Sequence, residues 1–289
     1  MNRLVRLELL KLRRRWLIWI LLGLLVAGEA LTIFGGYYLA VSGTMTFLDD
    51  RGQILPIEMV LPNFILPGAL RAVLGLAQQV GSWLLVILTA VVIGMEEAYG
   101  TLRLILISGI GRTRYLAMKL TTLFIVVVSF VGTAVISGMG FALIVANVAE
   151  IPITPTPVEG SVWLSSFAMA VRTIVALTVP VVIAFVATLL SRSQTIGIAI
   201  GLVYFLAESV VNGLLALLGE AGQQIALLLP GTHIQALMAH NQFNSQGLIP
   251  GYLPSQPIAG LVLLSYILVL LGIAWALFVR RDIRSGSSQ

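Results

Sequence analysis

Cysteine is absent from the 289 residues of this chain. Its absence excludes disulfides, thiolate-bound metals and cysteine nucleophiles. Histidine is scarce too, because the chain has only His233 and His240, and no acidic residue lies near either in sequence. A histidine-based metal site is therefore not expected, and we predict no cofactor.

Charge is also scarce. Charged residues make up 10% of the chain and hydrophobic residues 58%, whereas soluble domains carry about 25% charged residues. A soluble fold of this size could not bury so much apolar surface, so much of it must face lipid. We predict an all-α integral membrane protein.

Lysine occurs only twice, at Lys11 and Lys119, preceded by Leu10 and Met118. A P-loop requires Gly-Lys-Ser/Thr, with the lysine reaching the phosphates. The chain therefore has no nucleotide site of that type. It also contains no Gly-x-Ser-x-Gly or His-Glu-x-x-His motif, and we expect it not to be an enzyme.

What the chain has instead is long apolar runs. Crossing a hydrocarbon core takes about 20 helical residues, and six runs are long enough. The first is too long for the apolar part of a signal peptide, so we expect it to be a retained span. The predicted spans are 16–41, 72–95, 116–147, 163–190, 194–218 and 258–279.

The basic residues predict the orientation, because cytoplasmic segments are enriched in lysine and arginine. Placing both termini inside puts 14 of the 17 basic residues on the cytoplasmic side, with Arg51 and Arg71 outside and Arg172 within a span. We therefore predict a multi-pass protein of the cell (plasma or inner) membrane. The basic charge indicates contact with anionic lipid, and no nucleic-acid partner is expected.

The first fifteen residues are amphipathic. Val5, Leu9, Leu12 and Trp16 recur at helical spacing, and arginines occupy the other side. This pattern is typical of a helix lying on the membrane surface. We predict a cytoplasmic interfacial helix at 1–15, followed by a single six-helix transmembrane domain at 16–289.

The segment 219–257, between the fifth and sixth spans, has no lysine or arginine. Its apolar run at 225–231 is too short to span a membrane and contains Pro230-Gly231. We predict a re-entrant hairpin, which is possible where protein covers its backbone. The alternative is an ordinary outer loop with one apolar patch.

Three ionisable residues fall within the predicted spans: Glu29, Arg172 and Glu208. Counting inward at about 1.5 Å per residue places all three at a similar depth in the outer half of the membrane. Charges there usually pair or face a cavity. We expect Arg172 to pair with Glu208 because a tight turn joins their spans. Two interpretations remain open, an interhelical clasp and the polar lining of a substrate path.

Small residues form stripes on two spans. Gly197 and Gly201 form a GxxxG pattern in the fifth span, and Ser129, Thr133 and Ser137 form a stripe in the third. Such stripes allow close helix approach, and we interpret both as packing faces.

The segment from Glu96 to Lys119 lies between the second and third spans. Residues 102–106 favour a short amphipathic interfacial helix, which Ser108-Gly109-Ile110-Gly111 ends. Arg112 and Arg114 then lead into the third span. Glu96 and Glu97, at the inner end of the second span, are expected to anchor a junction that carries force.

This segment resembles the ABC-2 type permeases, the membrane subunits of ABC exporters. The resemblance rests on Glu-x-x-x-Gly-Thr-Leu-Arg (Glu96 to Arg103), on a Ser-Gly-x-Gly-Arg turn and on a lysine entering the next span. The basic N-terminal helix, the six spans and the long fifth loop extend it. Many permeases have a proline-containing turn where this chain has Ser108–Gly111.

The resemblance implies two permease chains, identical or different, each resting on a cytoplasmic ABC ATPase subunit. A coupling helix around Ile107–Arg114 would enter a groove of the ATPase, and spans one, two and five would rearrange around a central path. The substrate is unspecified, although the apolar interior favours a hydrophobic or amphipathic one. The implied coupling positions are Glu96, Glu97, Gly100, Arg103, Ser108, Gly109, Gly111, Arg112 and Arg114.

Two other functions remain open from the sequence. One is an ion-coupled secondary carrier or channel that uses Glu29, Arg172 and Glu208. The other is a non-transporting membrane subunit of a larger complex.

Overall fold

The structure is a computed structural model that describes residues 2–44, 56–149, 161–239 and 253–280. Every regular element in these segments is helical, and six helices are long and apolar enough to cross a membrane. The bounds of the helices are α1 Asn2–Arg13, α2 Trp16–Val41, α3 Gly68–Ala98, α4 Thr101–Ile107, α5 Arg112–Val148, α6 Ser161–Ser191, α7 Gln194–Ala216, α8 Gly219–Ala226, α9 Pro230–Met238 and α10 Gln256–Arg280. Two short helical turns, Ile57–Val60 and Leu61–Asn63, precede α3.

The six predicted spans correspond to α2, α3, α5, α6, α7 and α10, with ends that agree to within a few residues. The sequence could predict them because each apolar run is longer than a soluble core helix requires. Helix α2 is interrupted by a π-helical turn at Leu31–Gly35. The six helices long and apolar enough to cross a membrane, and the all-helical class of the described residues, are confirmed.

Helices α3 and α6 form the centre of the bundle. They pack on each other, and α6 also packs against α7 and α10. The apolar windows of α3 and α6 are mostly buried inside the chain, whereas those of α2, α7 and α10 are mostly exposed. The exposed apolar faces of these outer helices are suited to lipid or to another apolar surface.

The GxxxG stripe of α7 packs inside the chain. A Cβ atom added at Gly197 would lie 1.9 Å from Thr188 Oγ1, and one at Gly201 would lie 2.5 Å from Val86 Cγ1. Both glycines therefore allow α7 to approach α6 and α3 closely. They serve as a packing face, as the sequence predicted.

The N-terminal amphipathic helix forms at Asn2–Arg13 and packs against α5. Val5 and Leu12 are buried, as the spacing predicted. Trp16 does not belong to this apolar face. Arg15 is extended at φ −87°, ψ 126°, so Trp16 begins α2 and is 82% exposed.

Contacts between the ends of the helices define two ends of the bundle. At one end, Lys119 meets Glu8 and the Arg112 guanidinium meets the Val279 carbonyl. We call this end the basic end. At the opposite end, α8 and α9 form a pair of short helices, and α9 packs between α6 and α10. Part of the predicted hairpin, residues 240–252, lies outside the described residues.

The connection at the basic end is the short helix α4, set between two glycines of positive φ. Gly100 has φ 64° and Gly109 has φ 90°, and L-residues with side chains rarely adopt such angles. The coupling helix that the resemblance placed around Ile107–Arg114 is not found there. Helix α4 ends at Ile107, residues 108–111 form a turn, and Arg112 begins α5. Gly109, with its positive φ, ends α4, and Gly111 is extended (φ −60°, ψ 147°) just before α5.

Candidate functional site

Five polar side chains from α1, α3 and α5 form a cluster at the basic end, and all of them but Lys11 are buried. Lys119 Nζ donates to Glu8 Oε2 at 2.7 Å and to Glu96 Oε1 at 2.6 Å. Lys11 Nζ donates to Glu96 Oε1 at 2.5 Å, and the Tyr115 hydroxyl donates to Glu96 Oε2 at 2.6 Å. We call Glu8, Lys11, Glu96, Tyr115 and Lys119 the charge cluster.

The charge cluster is balanced, since two lysines face two glutamates. The side chains of Glu96 and Lys119 are 2% and 1% exposed, while Lys11 at 41% reaches in from the surface. Buried charges remain ionised only where partners satisfy them, and each of these charges has at least one partner. The cluster therefore fixes α1, α3 and α5 to one another.

The positions of these residues along their helices bring the members of the charge cluster together. Tyr115 and Lys119 lie four residues apart on α5 and thus on one face. Glu96 lies just before the end of α3 at Ala98, so it reaches the start of α5 across the α4 connection. These contacts link Glu96 to α1 and α5, and its role in anchoring a junction that carries force stays a prediction.

The sequence reading missed Glu8, Lys11, Tyr115 and the partner of Lys119. One signal was available. Glu8 is the only acidic residue in the first 28 residues, and it is spaced to lie with Val5 and Leu12 on the buried side of α1. An acid on the apolar face of a basic helix predicts a buried cationic partner.

Helix α4 lies beside the charge cluster and presents apolar side chains outward. Leu102 is 6% exposed and anchors the helix, whereas Leu104 and Ile107 are 66% and 71% exposed; Tyr99, just before the helix, is 72% exposed. We call Tyr99, Leu104 and Ile107 the α4 surface. The helix is bounded by turns at Gly100 and Gly109. Its opposite face, with Leu102, Ile105 and Leu106, packs on the core.

The nine predicted coupling positions differ in environment. Glu96 is buried in the charge cluster, and Glu97 is partly buried. Arg103 lies within α4, but its side chain is outside the described part of the structure. Gly100, Ser108, Gly109, Gly111 and Arg114 are exposed around α4.

Arg112 points into the bundle. Its Nη1 donates to the Val279 carbonyl at 2.5 Å, near the C-terminal end of α10, where carbonyl groups lack helical partners. Tyr115 stacks on Phe278 with ring centroids 5.7 Å apart. These contacts connect the start of α5 to the end of α10. Arg112 therefore stabilises the helix ends beside α4.

A cleft of about 620 Å³ opens toward the other end of the bundle. It lies between α2, α3, α7 and α9. The polar residues among those that line it are Thr32, Gln78, Gln79, Trp83, Glu208, Ser209, Asn212 and Gln235. We call this the polar cleft. So many polar groups within helices that are otherwise apolar indicate a wetted or ligand-bearing space.

The predicted ion pair between Arg172 and Glu208 is wrong. Arg172 Nη1 donates instead to Gln256 Oε1 at 2.6 Å. Glu208 Oε1 accepts a hydrogen bond from the backbone N–H of Gly231, at the start of α9. The start of a helix offers free N–H groups and a partial positive charge, so this carboxylate found a backbone partner that residue counting could not predict.

Glu29 occupies a third environment. It is completely buried, and one carboxylate oxygen accepts a hydrogen bond from the Ser137 hydroxyl of α5. The three ionisable residues of the predicted spans thus have three separate partners. Of these three, only Glu208 lines the polar cleft.

Together, the fold and these sites define a helical protein with six potential membrane spans, a charge-fixed basic end and a polar cleft toward the other end. Residues 66–284 match the model of a family described as protein of unknown function (DUF2705). Because the match covers most of the chain, the chain belongs to that family. The match includes Glu96, Tyr115 and Lys119 but not the α1 residues of the charge cluster. No curated protein matches this sequence.

Proposed function

We propose that the chain is the permease subunit of an ABC-type exporter and that a separate ATPase docks on the α4 surface. One observation carries the proposal: Leu104 and Ile107 are exposed on a short helix, with exposed Tyr99 just before it, next to a cluster of buried charges. Exposed apolar side chains that lie close together mark surfaces that contact proteins or membranes. The chain has no P-loop of its own, so ATP must be hydrolysed by a partner.

The charge cluster supplies a route for force. Helix α4 joins α3 to α5, and Glu96 ties these two helices together through Tyr115 and Lys119. Lys119 also holds Glu8 of α1. A push on α4 is therefore delivered to three helices as a unit rather than being absorbed by bending of the loop.

The proposed topology places the basic end in the cytoplasm, with both termini inside and α8–α9 as a re-entrant hairpin on the outer side. The polar cleft then forms part of the substrate path. Its amides and carboxylate are poorly suited to face lipid. A second permease chain facing α2, α3 and α7 would enclose them.

The experiment is purification of the full chain in mild detergent, with mass spectrometry of the proteins that co-purify. We expect an ABC ATPase, whose binding is lost in the double variant Leu104→Glu/Ile107→Glu. The matched control is Leu218→Glu, an exposed leucine after α7, which should retain the ATPase. Arg112 is avoided because it donates to the Val279 carbonyl of α10, so its substitution would disturb helix packing as well as docking.

Transport separates the proposal from its alternatives. In vesicles with the co-purified ATPase, ATP should drive substrate movement and the double variant should abolish it. Movement driven by an ion gradient without ATP would instead identify a secondary carrier. Stable association with other membrane proteins, without an ATPase or transport, would identify a structural subunit.

A further inference from the structure

The side chains that line the polar cleft offer hydrogen-bond acceptors and negative charge. Among the residues that line it and that the structure describes, none is lysine or arginine, and one, Glu208, is acidic. Side-chain amides supply most of the remaining polar groups. A phosphate, sulfate or carboxylate would find no cation there, and it would face the Glu208 carboxylate.

Two acceptors lie on the same face of α7. Glu208 and Asn212 are four residues apart, so their side chains are neighbours. One oxygen of Glu208 accepts from the Gly231 N–H, and the Tyr204 hydroxyl lies near the carboxylate. The Asn212 Oδ1 atom is buried and has no hydrogen-bond partner within the described structure. A buried acceptor without a donor is unfavourable, and a ligand that donates would satisfy it.

Apolar side chains lie beside these acceptors. Phe205 and Leu206 precede them on α7, and Trp83 of α3, which is 48% exposed, forms part of the same cleft. An aromatic face attracts cations and also packs against alkyl groups. The cleft thus combines hydrogen-bond acceptors with an adjacent wall of apolar side chains.

We propose that the polar cleft binds an amphipathic amine, whose ammonium group donates to Glu208 and Asn212 while its alkyl part lies against Trp83, Phe205 and Leu206. This inference rests on the proposed function only for the direction in which the ligand would move. Binding itself requires no ATPase.

The test uses three probes with the same tail: decylamine, decanol and decyl sulfate, each below its micelle concentration. Binding to the full chain in nanodiscs is measured by the change in tryptophan fluorescence and by thermal stabilisation. Decylamine should bind saturably and at least about tenfold more tightly than decyl sulfate. Equal affinity for all three, or non-saturable uptake, would show partition into lipid and overturn the proposal.

Two variants locate the site. Glu208→Gln keeps an oxygen that can accept from the Gly231 N–H, so the fold is retained while the charge is lost. It should weaken decylamine binding about tenfold and leave decanol unchanged. Asn212→Leu should weaken decylamine binding severalfold. Glu220→Gln, an exposed glutamate of α8 outside the cleft, is the matched control and should have no effect.

Failure here is distinguishable from failure of the proposed function. If an ATPase docks on the α4 surface but decylamine shows no preference over decyl sulfate, the inference is wrong and the exporter proposal stands. If decylamine binds in a Glu208-dependent manner and no ATPase is found, the cleft assignment stands alone.

Discussion

The charge cluster and the polar cleft both place a carboxylate inside a mostly apolar bundle, but they satisfy it in opposite ways. Glu96 has two lysines and a tyrosine as partners, all from its own chain. Glu208 accepts from one backbone N–H and has the Tyr204 hydroxyl nearby, while Asn212 Oδ1 has no hydrogen-bond partner among the described residues. Fully paired polar groups hold their helices together, whereas polar groups that are partly unpaired in a cleft remain available to a ligand.

The largest expected effect comes from removing the centre of the charge cluster. Glu96→Leu leaves the Lys119 ammonium with Glu8 alone and the Tyr115 hydroxyl without its acceptor. We expect the free energy of unfolding to fall by about 3–5 kcal/mol, measured by denaturant titration in mixed micelles. Glu208→Gln keeps its acceptor oxygen and should lower stability by less than about 1 kcal/mol. Equal losses of stability in the two variants would contradict the distinction between the charge cluster and the polar cleft.

A smaller effect is expected where α7 meets the start of α9. A Cβ atom at Gly231 would lie 2.5 Å from the Glu208 carboxyl carbon, so Gly231→Ala should displace the carboxylate from its N–H partner. We expect a loss of about 1 kcal/mol and faster hydrogen exchange in α9.

The control for this change is Gly213→Ala. Gly213 lies on the same helix as Glu208, and an added Cβ atom meets nothing within 4 Å. Alanine favours helix over glycine, so stability should be unchanged or rise by up to about 1 kcal/mol. A loss at Gly213 as large as that at Gly231 would show that the effect at Gly231 is not due to Glu208.

The smallest effect tests which partner Arg172 has. A double-mutant cycle between Arg172→Met and Gln256→Leu should give a coupling energy of about 1 kcal/mol, because the side chains share a hydrogen bond. The same cycle with Glu208→Gln in place of Gln256→Leu should give a coupling near zero. A larger coupling with Glu208 would restore the ion pair that the sequence suggested and would weaken the view of Glu208 as a cleft acceptor.

Sequence reasoning succeeded where one property repeats along the chain. The six spans follow from long apolar runs, and α4 and its terminating turn follow from a short apolar stretch followed by Gly109 and Gly111. It failed where partners come from distant segments. Glu8 and Lys119 are separated by 111 residues, and nothing in either local pattern specifies that they meet.

The sequence by itself determined that this protein has six long apolar helices and a basic N-terminal helix. It also determined the short helix, bounded by glycines, between the second and third spans. Hydrophobic length and glycine positions are local properties, so they can be counted from residues alone. Only the tertiary structure decided that Glu96 lies in a closed network of charges, that Glu208 binds a helix start instead of Arg172, and that polar residues of four helices share one cleft. Those outcomes depend on which helix faces pack together, because a buried polar group takes the nearest partner that packing provides.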